Sequence, residues 1–318
     1  MNNVEILIIA SSLDFTSDYV CLELQRRGTK YLRLNRDEFE TYNISLYIAN
    51  LTMVVEFEGE QYIIDNENLK SIYYRAPIYL RDIYQPDILP EEQLFRTQWT
   101  AFIRNLTIFE NINWLNNPVH TFKAENKLLQ LRYAKNIGFL CPETIITNSN
   151  KIDIDNDSTY IVKSLDTALL RTEGKEAFVY SSVLSGKVIK ESALSLSPIV
   201  VQQYIYPKVD IRVTVIKDKL FAVKILKDKE GIAGDWRLQK HDIEYIPIDL
   251  PATIKKKCLQ IVERFGLTFG AIDLIKSNNQ YYFIEVNPTG EWAWLVDSAQ
   301  LPIYESICDF LEGDVKHA

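Results

Sequence analysis

The chain has 318 residues, 47% apolar and 25% charged, which is a soluble composition with length for two or three compact units. A formal net charge of −8 argues against a general nucleic-acid binder or a protein drawn to anionic membranes, while leaving room for a local basic cleft. The four cysteines (Cys21, Cys141, Cys258, Cys308) show no paired spacing, so neither a zinc site nor a disulfide framework is signalled. The three histidines (His120, His241, His317) leave little for a histidine-rich metal centre or a triad. No apolar run reaches membrane-spanning length and no signal-peptide features open the chain, so a cytoplasmic location is the expectation.

Val4 to Ala10 is an apolar run of the kind found in a buried parallel strand. Ser11 to Asp18 supplies turn and capping residues, Tyr19 to Arg27 reads as a helix ended by Gly28, and Lys30 to Asn35 is the next strand of a β-α-β unit. The intervening loop lacks the glycines that would close on a pyrophosphate. Two alternating runs between 44 and 64 and the run Leu69 to Tyr74 read as strands, followed by Arg75-Ala76-Pro77, where the arginine faces either a cleft or solvent beside a tight turn. Glu91 to Leu106 has helical spacing, with Leu94, Trp99, Phe102 and Leu106 on the apolar face.

Asn116-Asn117-Pro118 marks a boundary. After it Thr121 is the expected cap of a helix through Asn136, with Ala124, Leu128, Leu131 and Ala134 on one face. Lys127 borders that face and, on spacing alone, reads as a lysine laying its stem on apolar surface. Tyr160 to Lys163 is a strand that ends in a lysine ahead of a polar loop, Leu165 to Glu176, whose single glycine, Gly174, matches no phosphate-loop pattern. Ile199 to Ile205 is a buried strand running into a linker, and Asp210 to Leu226 is a hairpin about Lys217-Asp218-Lys219. Gly231 to Gly234 leads to Asp235-Trp236-Arg237. Ala252 to Phe265 is an amphipathic helix, and a last helix runs from Pro302 to about Leu311.

Between those two helices lies a hairpin, Phe269 to Ile275 and Tyr281 to Pro288, that carries acid where sheet core is expected. Alternation puts Phe283, Glu285 and Asn287 on one face, and Asp273 on the face of Ala271 and Ile275. Pairing about a turn centred on Asn279 sets Asp273 opposite Glu285, because 273 and 285 sum to twice 279. Facing carboxylates repel, so a cation is expected between them, and three oxygen-bearing side chains suit a hard ion such as Mg²⁺.

The ordered set of a lysine helix, a strand lysine, Gln202-Gln203-Tyr204-Ile205, Asp210-Ile211-Arg212, Arg237, Asp273 and Glu285-Val286-Asn287 resembles the ATP-grasp superfamily. Within it the chain is similar to the ribosomal-peptide maturases that make graspetides, of microviridin and thuringinin type, through Tyr73 to Pro77, Ala124 to Leu131, Pro142 to Asn148, Asp235 to Arg237 and Glu285 to Trp294. The resemblance implies an α/β (α+β) ATP-grasp fold preceded by a small α/β domain. The expected units are 1–117, a central subdomain 118–200 with the phosphate loop, and a C-terminal subdomain 201–318 with the Mg²⁺ site.

The resemblance also implies that Lys127 and Lys163 neutralise ATP phosphates, that Gln203, Tyr204 and Ile205 hold adenine, and that Asp210 accepts from the ribose. Asp273, Glu285 and Asn287 would hold Mg²⁺, and Arg212 and Arg237 would steady the transferred phosphoryl group. The implied reaction activates an Asp or Glu side chain of a ribosomally made precursor, leader plus core, for ring closure with Ser, Thr or Lys as an ω-ester or ω-amide. The leader would dock near the hairpin at Lys217 to Lys219, and a homodimer is expected, with no nucleic-acid or membrane partner. The chain departs from the pattern in its glycine-poor loop after Lys163 and in Lys240 and His241, where some relatives place another arginine. The alternative is a RimK-like ligase adding amino acids to a protein terminus or joining small metabolites.

Overall fold

A computed structural model describes residues 1–75, 89–165, 169–172, 175–239 and 241–313, with backbone alone at 169–172 and 175–178. Ala76, Pro77, Gly174, Lys240 and His317, and most of the side chains after Lys163 in the polar loop, lie outside the described residues.

The chain begins with β1 (Asn2–Asn3), β2 (Ile6–Ala10), α1 (Phe15–Arg27), β3 (Tyr31–Asn35), β4 (Asn43–Tyr47), β5 (Thr52–Phe57), β6 (Glu60–Asp65), β7 (Ser71–Tyr74), α2 (Pro90–Asn105) and β8 (Asn113–Leu115). Strands β3-β2-β7-β8, in that order, form a parallel sheet, and β1-β6-β5-β4 form a second sheet that is antiparallel except between β1 and β6. Every residue of β2 is buried, because both of its faces are covered. Ile6 and Ile8 meet α1 and the C-terminal helices, while Leu7 and Ile9 meet Leu34, Met53 and Ile103.

Two helix expectations shift here. α1 starts at Phe15, a turn before Tyr19, because the polar Thr16 and Ser17 find partners inside the fold, on Glu291 and Asp14, and so do not end the helix. On α2, Leu94 is 60% exposed, and the core face runs instead through Trp99, Phe102 and Ile103.

The middle of the chain holds α3 (Pro118–Ala124), α4 (Lys127–Ile137), β9 (Thr144–Thr147), β10 (Thr159–Lys163), β11 (Leu169–Thr172), β12 (Lys175–Phe178), β13 (Ser182–Ser185), α5 (Gly186–Glu191) and β14 (Ile199–Gln203). The sheet order is β13-β10-β14-β9, and β11 pairs with β12. The expected helix from Thr121 to Asn136 is two helices. Asn117 caps α3 by accepting from Val119 N, and Asn126 caps α4 by accepting from Leu129 N, so a cap inside the run breaks it. Thr121 caps nothing: it is buried, and its hydroxyl has no hydrogen-bond partner among the described residues. Ala124 and Ala134 stay in the core, but Leu128 is 52% exposed.

The last part comprises β15 (Val209–Ile216), β16 (Lys219–Lys227), β17 (Ile243–Pro247), α6 (Ala252–Arg264), β18 (Phe269–Ser277), β19 (Gln280–Asn287), α7 (Trp294–Ala299) and α8 (Ile303–Glu312). Its antiparallel sheet runs β17-β16-β15-β18-β19. One face, with Ile211, Val213, Ile272, Leu274, Phe283 and Val286, packs on Ile254, Cys258 and Ile261 of α6. The other face is mixed: Val223, Ile225 and Ala271 are buried there with Trp292, beside the polar Asp210, Arg212 and Thr214.

Helix α8 returns to α1 through Arg27, which reaches Glu23 at 2.6 Å, Glu312 at 2.7 Å and Asp309 at 2.9 Å. Hydrogen bonds from Arg26 and then Arg27 outweigh burial and hold the Glu23 carboxyl at about 2, below its ordinary 4.5. A depressed folded value means that this stabilisation is complete above about pH 4.5 and is lost as pH falls toward 2. Glu23→Gln is expected to cost on the order of 2 kcal/mol near neutrality and almost nothing at pH 2, compared by urea denaturation. A cost that does not change with pH would show that packing, not charge, is what the glutamate provides.

Candidate active site

The polar face of the C-terminal sheet is built by strand alternation. On β15, Asp210, Arg212 and Thr214 point the same way, and the pairing sets Arg212 beside Asp273 and Asp273 beside Glu285 on β19. The expected apposition of the two carboxylates is present, but by a different route. The turn is the two-residue Asn278-Asn279, both at positive φ, which pairs Ser277 with Gln280 and by itself would set Asp273 against Ile284. A β-bulge between Asp273 and Leu274 restores the Glu285 pairing. It also corrects the expected faces: Phe283 lies in the core with Val286, while Glu285 and Asn287 lie on the polar side.

Charges line up across the strands as Arg212, Asp273, Glu285 and then Lys127, which opens α4. Arg212 Nε is 3.2 Å from Asp273 Oδ1, and Lys127 Nζ is 3.1 Å from Glu285 Oε2. Arg212 and Lys127 thus flank the carboxylate pair from its two ends rather than standing between the acids. Lys163, at the end of β10, donates to Gln202 Oε1 at 3.3 Å; burial lowers its pKa and Glu285 opposes the shift. Burial, with Glu285 adding to it, pushes Asp273 up to about 6. Burial also works against the Glu285 charge, but Lys127 and then Lys163 outweigh it and hold that carboxyl low. Asn287 donates to Glu285 Oε1 at 3.3 Å.

Among the described residues no group of three His, Cys, Asp or Glu side chains forms a metal cluster. The available set is two apposed carboxylates and an amide, an all-oxygen donor set that fits a hard divalent ion. Arg212 is 7% exposed, and its Nε and Nη1 make no hydrogen bond among the described residues, since the approach to Asp273 is off the donor direction. Buried guanidinium donors without acceptors suit a phosphoryl or carboxylate oxygen. The chain folds tightly over this row at Gly290, where a Cβ would come within 2.6 Å of Ala271 Cβ and 3.2 Å of Asn287 Cβ.

The other expected residues sit further out. Arg237 is fork-paired with its neighbour Asp235, at 2.9 and 3.2 Å, which raises the pKa of the arginine and lowers that of the aspartate against the burial of both. Asp210 is already bound by Lys208, and burial raises its pKa against that lysine. Gln203, Tyr204 and Ile205 form the crossing from β14 toward β15: Gln203 N donates to Glu143 O at 2.8 Å, and the Tyr204 hydroxyl accepts from Gly234 N at 3.3 Å. Arg75 is an inward residue, 6% exposed at its side chain, held by Asp14, by Glu291 at 2.8 Å and by Thr289 O at 3.1 Å.

Two buried amides that sequence reasoning passed over hold the site together. Gln130 Nε2 donates to Val286 O at 2.8 Å and to Ala124 O at 2.6 Å, and its Oε1 accepts from Val286 N at 3.0 Å. It gives the outer edge of β19 a partner between Glu285 and Asn287. Asn116 accepts from Thr268 N and Phe269 N, each at 2.8 Å, and donates to Phe269 O and Pro288 O, tying the start of β18 to the end of β19. The available signal was a polar residue on the apolar face of α4, since Gln130 and Ala134 are one turn apart. Gln130→Ala leaves three backbone groups unpaired and is expected to cost about 3 kcal/mol in urea denaturation. A loss below about 1 kcal/mol would mean that water replaces the amide.

Residues 157–298 match the RimK-like ATP-grasp domain. A relative named "Probable alpha-L-glutamate ligase 1", from Shewanella baltica, is 22% identical over 210 residues, spanning 62% of this chain and 66% of that protein. In fold, the chain is similar to macrocyclase MdnC bound with precursor peptide MdnA from Microcystis aeruginosa, with TM-score 0.82, 23% identity and coverage of 98% of this chain and 99% of that one. It is also similar to a RiPP-associated ATP-grasp ligase of Chryseobacterium gregarium in complex with ADP and a leader and core peptide, with TM-score 0.78, 25% identity and coverage of 98% and 96%. The expected homodimer finds no support in these comparisons, and among the described residues no helix is long and apolar enough to cross a membrane. The chain thus has an ATP-grasp fold over its length, with a RimK-like ATP-grasp domain at residues 157–298 that takes in the Asp273 and Glu285 row.

Proposed function

We propose that the chain is an ATP-dependent peptide macrocyclase, which activates Asp or Glu side chains of a ribosomally made precursor and closes ω-ester or ω-amide rings with Ser, Thr or Lys side chains. The observation that carries this reading is the likeness in fold, at TM-scores of 0.82 and 0.78, to neighbours that hold precursor or leader and core peptides. The RimK-like match supports the second reading, addition of amino acids to a protein terminus.

In this reading Lys127 and Lys163 bind phosphate oxygens, Gln203, Tyr204 and Ile205 hold adenine, and Asp210, once released from Lys208, takes the ribose hydroxyls. Asp273, Glu285 and Asn287 would hold Mg²⁺, which would supply charge neutralisation for the ATP phosphates. A substrate carboxylate oxygen attacks the γ-phosphorus, ADP leaves, and an acyl-phosphate forms. The hydroxyl or amine then attacks the acyl carbon, loses its proton, and expels phosphate, so each ring removes the elements of one water from the peptide. Arg212, with donors to spare, and Arg237 hold the negative oxygens through both steps.

The test is incubation with ATP, Mg²⁺ and the small precursor encoded beside the gene, followed by mass spectrometry. Loss of one water mass per cross-link is expected. Glutamate-dependent ATP turnover with no loss from any neighbouring peptide would overturn the reading in favour of the amino-acid ligase.

A further inference from the structure

We infer that the groove between α4 and β9 seats an acidic, apolar-anchored stretch of the peptide substrate in extended form; this rests on the reading that the substrate is a peptide. The groove is a space of about 430 Å³ with an apolar floor of Leu128, Leu131, Pro142 and Ile146, and it is flanked by Arg132 and Lys135. Both cations are exposed, and neither has an ion-pair partner among the described residues. In a chain of net charge −8 this is a local positive site that the ATP and metal assignments do not use. Leu128, at 52% exposed, is an apolar side chain left half-open to solvent among the described residues.

Two further features determine what fits. Among the described residues β9 pairs only with β14, so its outer edge is open to an added strand. The groove also shares Leu128, Leu131, Thr144 and Ile146 with the narrower space lined by Lys127, Lys163, Gln202 and Ile284. An extended peptide laid along β9 puts alternate side chains into the apolar floor and its carboxylates against Arg132 and Lys135. Its course continues toward the lysines of the site. A basic or uniformly polar peptide lacks one or other of these partners.

The test uses two fluorescein-labelled synthetic peptides of equal length, alternating Leu with Glu or Leu with Lys, measured by anisotropy. The acidic peptide is expected to bind and the basic one not. Arg132→Glu with Lys135→Glu should weaken acidic binding by about tenfold or more, with the Gln pair intermediate and the affinity for a non-hydrolysable ATP analogue unchanged. No saturable binding of the acidic peptide, or equal affinity in the charge-reversed protein, would overturn the inference. If the acidic peptide binds but no precursor is ever dehydrated, the macrocyclase reading falls alone. If rings close with an unaltered precursor KM in the charge-reversed protein, the groove assignment falls alone.

Discussion

Glu285→Gln is expected to lower ATP-dependent product formation by about a thousandfold while leaving the circular dichroism spectrum and urea midpoint close to wild type. Glutamine keeps the shape, but only one of its two terminal atoms accepts, so of the contacts made by Lys127 to Oε2 and by Asn287 to Oε1 one is kept as a hydrogen bond to the amide carbonyl. What disappears is the charge, which Lys127 and Lys163 hold ionised and which apposes Asp273 across the strand pair. A divalent ion facing one carboxylate and two amides is held far more weakly than one facing two carboxylates. Raised Mg²⁺ should therefore restore part of the rate. Full activity at low Mg²⁺ would remove Glu285 from the metal set.

Arg212→Ala is expected to cost about 3 kcal/mol of stability and to abolish turnover, because it leaves the buried Asp273 facing Glu285 without its cation. Part of the penalty is relieved by protonation, since Asp273 is already pushed up to about 6. The second variant separates the two roles. Arg212→Ala with Asp273→Asn should regain most of the stability, as no uncompensated charge remains, yet stay inactive. If the double variant is no more stable than Arg212→Ala, the loss arises from packing against Trp294, whose ring the guanidinium overlies at 6.0 Å.

Strand periodicity and residue order carried much of this site. Asp210 and Arg212 share a face because they are two apart, and the acids stand where a hairpin brings them together. Local chemistry misled where a tertiary partner outweighed it. Thr16 and Ser17 look like helix breakers until Glu291 and Asp14 accept from them, and Leu94 and Leu128 look like core until the packing leaves them out. The bulge at Asp273 had no signature in residue type, because one extra residue in a ladder is selected by what each face must bury: Phe283 inward and Glu285 outward.

The amino-acid sequence by itself determined that this is an α/β chain with two strand-borne acids, two lysines and two arginines in ATP-grasp order, since alternation and order are local properties. Only the tertiary structure decided which charges meet. Lys127 joins Glu285 because α4 docks on β19 through Gln130, and Arg75, just past β7, joins Glu291. Contacts between residues more than a hundred positions apart depend on how separate elements pack, and no local pattern encodes that.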